Sequence, residues 1–61
     1  MSRYFKRAYE KGFEDALRDI SPGYNMTGIP HKYLEESRIA YFAGYREAKN
    51  EALYATMDGG I

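Results

Sequence analysis

In the first third of the chain, Phe5, Ala8, Tyr9, Gly12, Phe13, Ala16, Leu17 and Ile20 recur at spacings of three and four. At about 100° per residue these positions share one broad face of a helix. Arg3, Arg7, Lys11, Glu14 and Arg18 fall on the other side. Ser2 is suited to cap the start and Ser21-Pro22-Gly23 to stop the element, which predicts a helix over about 3–20. The next stretch, SPGYNMTGIP, is rich in Pro, Gly and small polar residues and reads as an irregular ten-residue connector over 21–30. Pro30 suits the first turn of a second helix. Helical spacing resumes from about 31 to 57, with Leu34, Tyr41, Gly44, Tyr45, Ala48, Ala52 and Ala55 on one face. Asp58-Gly59-Gly60 ends the pattern, leaving 58–61 as a flexible tail.

The two helices carry the same phrase. AYEKGFEDA (8–16) and AYFAGYREA (40–48) both read Ala-Tyr-x-x-Gly-aromatic-x-acid-Ala. A glycine inside a helix costs about 1 kcal/mol relative to alanine, so two at matched positions ask for a packing reason. Ala8, Gly12 and Ala16 facing Ala40, Gly44 and Ala48 form a helix-packing seam on which backbones approach closely. Tyr9, Phe13, Tyr41 and Tyr45 flank it. The expected fold is one all-α domain: an antiparallel two-helix hairpin with an irregular connector.

Composition narrows the function. Sixty-one residues leave little room for a core plus an enclosed catalytic pocket. Two helices bury too little to offset the ordering entropy comfortably, so oligomerisation or a partner is expected to complete the fold. Formal charge is zero, cysteine is absent and there is one histidine, so neither a thiolate nor a His-based metal site is expected. The charged N-terminal stretch is unlike a signal peptide, and no apolar run approaches the roughly 20 residues of a membrane span. A cytoplasmic protein is expected, without membrane contact.

RAYEKGFEDAL (7–17), a connector containing Pro and Asn, and Arg38 followed by FAGYREA (42–48) resemble the ribosome modulation factor family over about residues 7–50. Gly44-Tyr45-Arg46-Glu47-Ala48 is the most specific part of the likeness; the first-helix match is looser. The family comprises short bacterial and phage-encoded proteins with two helices and a Gly-aromatic pair in each. The resemblance implies a protein that binds the small ribosomal subunit and silences it, often through ribosome pairing. Family members are strongly basic, whereas this chain is neutral.

Two surfaces carry the functional expectations. Arg3, Arg7 and Lys11 form a stripe at i, i+4, i+8 with Lys6 beside it and Tyr4 nearby, a candidate nucleic-acid-binding patch. The plainer reading is a solvated face, partly neutralised by Lys6–Glu10, Lys11–Asp15 and Glu14–Arg18 pairs. Cations near a helix N-terminus oppose the macrodipole, which favours the patch. On helix two, Ile39, Phe42 and Leu53 project opposite the seam around Arg46, a candidate partner interface. Tyr9, Tyr41 and Tyr45 belong to the core, and Tyr24 is freer. His31 has no nucleophile or orienting carboxylate beside it, and no phosphate loop or metal motif is present. No enzyme activity, cofactor or small-molecule substrate is inferred. The function expected first is a small regulator of translation binding the ribosome or its RNA. The alternative is a homo-oligomeric protein-binding module or phage-type inhibitor acting through the apolar face of helix two.

Overall fold

The computed structural model describes the backbone of residues 2–59 and the side chains of residues 2–53. It contains α1 (Arg3–Leu17), a 3-10 turn (His31–Tyr33) and α2 (Leu34–Gly59), with no strand among the described residues. The two helices pack against each other along the seam that the repeated phrase predicts. The expected tail shortens, because α2 continues through Gly59; residues 60 and 61 lie outside the described residues.

Local chemistry sets both ends of α1. The Ser2 hydroxyl accepts from the Phe5 amide at 3.2 Å, satisfying one of the free N–H groups of the first turn. At the other end, Asp19 adopts a left-handed conformation, φ 61°. Its amide donates to Ala16 at 3.1 Å and the Ile20 amide donates to Asp15 at 2.9 Å, the paired bonds of a Schellman stop. The helix therefore ends three residues before the expected boundary at 20. Leu17 and Ile20, expected on the buried face, are turned out to solvent instead.

The expected antiparallel arrangement is not observed: the two helices run in the same direction. At the start of α1, Tyr4 stacks on Tyr33 with centroids 4.9 Å apart, and the Ser2 hydroxyl donates to Glu36. Midway, Gly12 lies against Tyr41 and Tyr45. Past the end of α1, Asp19 meets Lys49 at 2.7 Å and the Tyr45 hydroxyl donates to the Ile20 carbonyl at 2.6 Å. Later residues of α1 thus meet later residues of α2. A tight turn cannot join helices this way, so the chain must return along α1 first. At about 1.5 Å per residue α1 is about 22 Å long, and residues 18–30, reaching about 3.3 Å each when extended, cover that with slack. Tyr24 packs on Tyr41 partway along, and Asn25, Thr27, Gly28 and Ile29 line a cleft with Tyr4 and Arg7.

Parallel alignment also explains the repeat. Gly12 lies against Tyr41 and Tyr45, and Gly44 against Tyr9 and Phe13, so the two phrases lie in register, with Ala8, Ala16, Ala40 and Ala48 buried along the same seam. A β-carbon on Gly12 would lie 2.8 Å from the Tyr41 carbonyl carbon and closer to its oxygen. One on Gly44 would lie 3.0 Å from the Tyr9 carbonyl carbon, again closer to the oxygen. Tyr9 and Tyr41 are themselves equivalent positions of the phrase. Each helix offers its glycine to the same carbonyl of the other, and no larger residue fits.

Candidate functional site

The most buried chemistry in the molecule is a clamp around Tyr41, whose side chain is fully buried. Its hydroxyl donates to Asp15 Oδ2 at 2.6 Å and accepts from the Gly23 amide at 3.1 Å. The ring stacks on Tyr24, centroids 5.2 Å apart. Asp15, buried as well, also pairs with Lys11 Nζ at 3.4 Å. The bond from Tyr41 holds the Asp15 carboxyl below its ordinary range, against desolvation, with help from Lys11. Burial, and then the Asp15 bond, raise the Tyr41 phenol. One tyrosine so joins α1, α2 and the connector.

The cations are distributed unevenly along the helix pair. Six of the nine Lys and Arg residues (Arg3, Lys6, Arg7, Lys11, Lys32 and Arg38) lie between the Gly12–Gly44 contact and the end where both helices begin. Only Glu10, Glu35 and Glu36 oppose them there. Beyond that contact the described balance reverses, with Glu14, Asp15, Asp19, Glu47 and Glu51 against Arg18, Arg46 and Lys49. The neutral chain is electrically polarised along its length. At its cationic end, Arg3 lies 5.4 Å from the Tyr4 ring centroid and Lys32 5.2 Å from that of Tyr33, flanking the Tyr4–Tyr33 stack with charge.

Arg3, Lys6, Arg7 and Lys11 are all exposed on α1, where they border two open grooves. Arg3 and Lys6 border an open groove of about 710 Å³ lined by Phe5 and Tyr9. Arg7 and Lys11 border another against Tyr24. Glu10 stands on the edge of both. The Lys11–Asp15 and Glu14–Arg18 pairs form, the latter at 3.0 Å; Lys6 and Glu10 form no ion pair among the described residues.

On α2, Ile39, Phe42 and Leu53 are 53%, 47% and 59% exposed. Arg38 and Arg46 are exposed on the same side, one turn before and one turn after Phe42. Neither arginine has an ion-pair partner among the described residues, unlike Lys49, which Asp19 holds above its ordinary range. Within the Gly44–Ala48 run, Gly44 and Ala48 face α1, while Arg46 and Glu47 point to solvent.

Sequence reasoning missed the role of Tyr24, which is packed rather than free, and of Asp15, which it counted only as an ion-pair partner. It also missed Lys32 and Tyr33, because nothing local places the start of α2 beside the start of α1. Among the described residues, no three His, Cys, Asp or Glu side chains converge as a metal site, and no helix is long and apolar enough to cross a membrane. No family model, curated protein or solved structure matches this chain.

Proposed function

We propose that this chain is a small, non-enzymatic regulator of translation that docks on the ribosome or its RNA in the cytoplasm. The observation that carries this reading is the polarised charge. A neutral total sits poorly with a phosphate-rich target, but the end where both helices begin concentrates six cations against three carboxylates. Two helix N-termini add their positive dipole ends to those cations, which folding alone disfavours and an anionic partner offsets. The resemblance of Gly44–Ala48 to the ribosome modulation factor signature points to the same target. Arg3, Lys6, Arg7 and Lys11 contact phosphate in this reading, joined by Lys32 and Arg38.

A second reading is a protein-binding or self-associating module using Ile39, Phe42, Arg46 and Leu53, favoured by the exposure of those apolar side chains. Co-sedimentation with bacterial ribosomes at two salt concentrations separates the two. Phosphate docking weakens steeply with salt and with Arg3→Gln/Arg7→Gln. Apolar docking survives moderate salt and loses about 2–4 kcal/mol in Phe42→Ala if the ring fills a pocket. Absence of co-sedimentation at low salt sinks the ribosome reading. A stable folded monomer in sedimentation at micromolar concentration sinks self-association.

A further inference from the structure

We infer that the outward row Arg38–Phe42–Arg46 of α2 is a contact for unpaired RNA, with Phe42 stacking on a base and the two arginines holding flanking phosphates. This rests on the RNA-directed reading above but concerns a surface separate from the α1 cations. The three residues are spaced four apart, about 6 Å per step along the helix, so an aromatic surface stands midway between two guanidinium groups. An unpaired strand presents the same alternation, base between phosphates, whereas a duplex hides its base faces.

The two arginines of the row form no ion pair among the described residues, while Lys11, Arg18 and Lys49 all do. Phe42 lies opposite the seam and remains half exposed, yet its position is well supported. Its ring meets Tyr41 edge-on at 5.5 Å and 89°, and Tyr41 is held by Asp15 and Gly23. A ring already held by a fixed neighbour loses less entropy when a base stacks on it. Charge chooses the occupant. A second copy placed on this row would set arginine against arginine, whereas a polyanion removes that repulsion. Arg38 also belongs to the cationic end, so the row is continuous in sign with it.

The test is fluorescence anisotropy with the full chain and a fluorescein-labelled single-stranded RNA of about 12 nucleotides, within the span that one small module covers. Phe42→Leu, which keeps apolar bulk but removes the π face, is expected to weaken binding roughly tenfold, and Phe42→Tyr to preserve it. Arg38→Gln/Arg46→Gln, both surface changes, are expected to lower the salt slope by about 1.4, two phosphates at roughly 0.7 each. Circular dichroism confirms that each variant remains folded. Unchanged affinity and slope in these variants overturn the inference, as does failure to bind the single strand at low salt. Ribosome binding that resists nuclease, needs both arginines and tolerates Phe42→Leu also overturns it, and identifies an acidic protein as the occupant. Oligonucleotide binding through this row without ribosome co-sedimentation upholds it and sinks only the ribosome reading.

Discussion

Gly12 meets the main-chain carbonyl of Tyr41 so closely that a β-carbon has no place there, and Gly44 repeats the relation with Tyr9. By helix propensity alone, Gly12→Ala or Gly44→Ala stabilises an isolated helix by about 1 kcal/mol. In the folded pair the methyl group meets backbone, which cannot rotate aside. Each substitution is expected to lower stability by about 1–3 kcal/mol net, and the pair together by more. Thermal unfolding followed by circular dichroism checks this; a rise in Tm for either variant refutes the packing.

The parallel direction of the helices has its own test, because the chain has no cysteine. Ser2→Cys with Glu36→Cys is expected to be bridged within one molecule by a short bis-maleimide. Ser2→Cys with Glu51→Cys, neighbours only if the helices ran oppositely, is expected to stay unbridged. The reverse outcome would make the antiparallel hairpin correct.

Stability is expected to fall at both extremes of pH. Asp15 and Asp19 are held below their ordinary range by Tyr41 and Lys49 respectively. The unfolded chain therefore takes up these protons first, near pH ~4, and the stability present above that point is lost as pH falls through the folded values. Tyr41 and Lys49 are raised, so their contribution is full below about pH 10 and is lost as pH rises through the folded values. Asp15→Asn with Asp19→Asn is expected to flatten the acid limb in melts taken across the range. An acid limb as steep as the parent's would show that other groups control it.

Removing the Tyr41 hydroxyl and removing the Ser37 hydroxyl are expected to act in opposite directions. Tyr41→Phe removes the nearest donor to the buried Asp15 carboxylate and the acceptor of the Gly23 amide, and should cost about 1–3 kcal/mol. Ser37 is fully buried, and its hydroxyl has no hydrogen-bond partner among the described residues. Ser37→Ala is therefore expected to raise stability by about 1 kcal/mol, through lost desolvation penalty and better helix propensity. Denaturant midpoints for the two variants check both signs. A destabilised Ser37→Ala would mean that its hydroxyl finds a partner in solution.

Helices, a glycine-centred seam and an exposed apolar row on α2 were legible in the residues alone. The repeat marked Gly12 and Gly44, and three-and-four spacing placed Ile39, Phe42 and Leu53 opposite them. These features are local, since a side chain's direction on a helix follows from its position in the turn. The end of α1 was not legible to the residue, because Asp19 takes the left-handed stop usually left to glycine. Helix direction lay further out of reach. Ala8, Gly12 and Ala16 can face Ala40, Gly44 and Ala48 in either sense, so the seam pattern alone does not choose. The choice falls to contacts between distant residues, with Tyr41 drawing in Asp15, Gly23 and Tyr24 while Tyr33 stacks on Tyr4. Those contacts return the connector along α1 and bring both helix starts together. Nine positive and nine negative side chains sum to zero in any fold, but only chain direction decides which of them lie side by side.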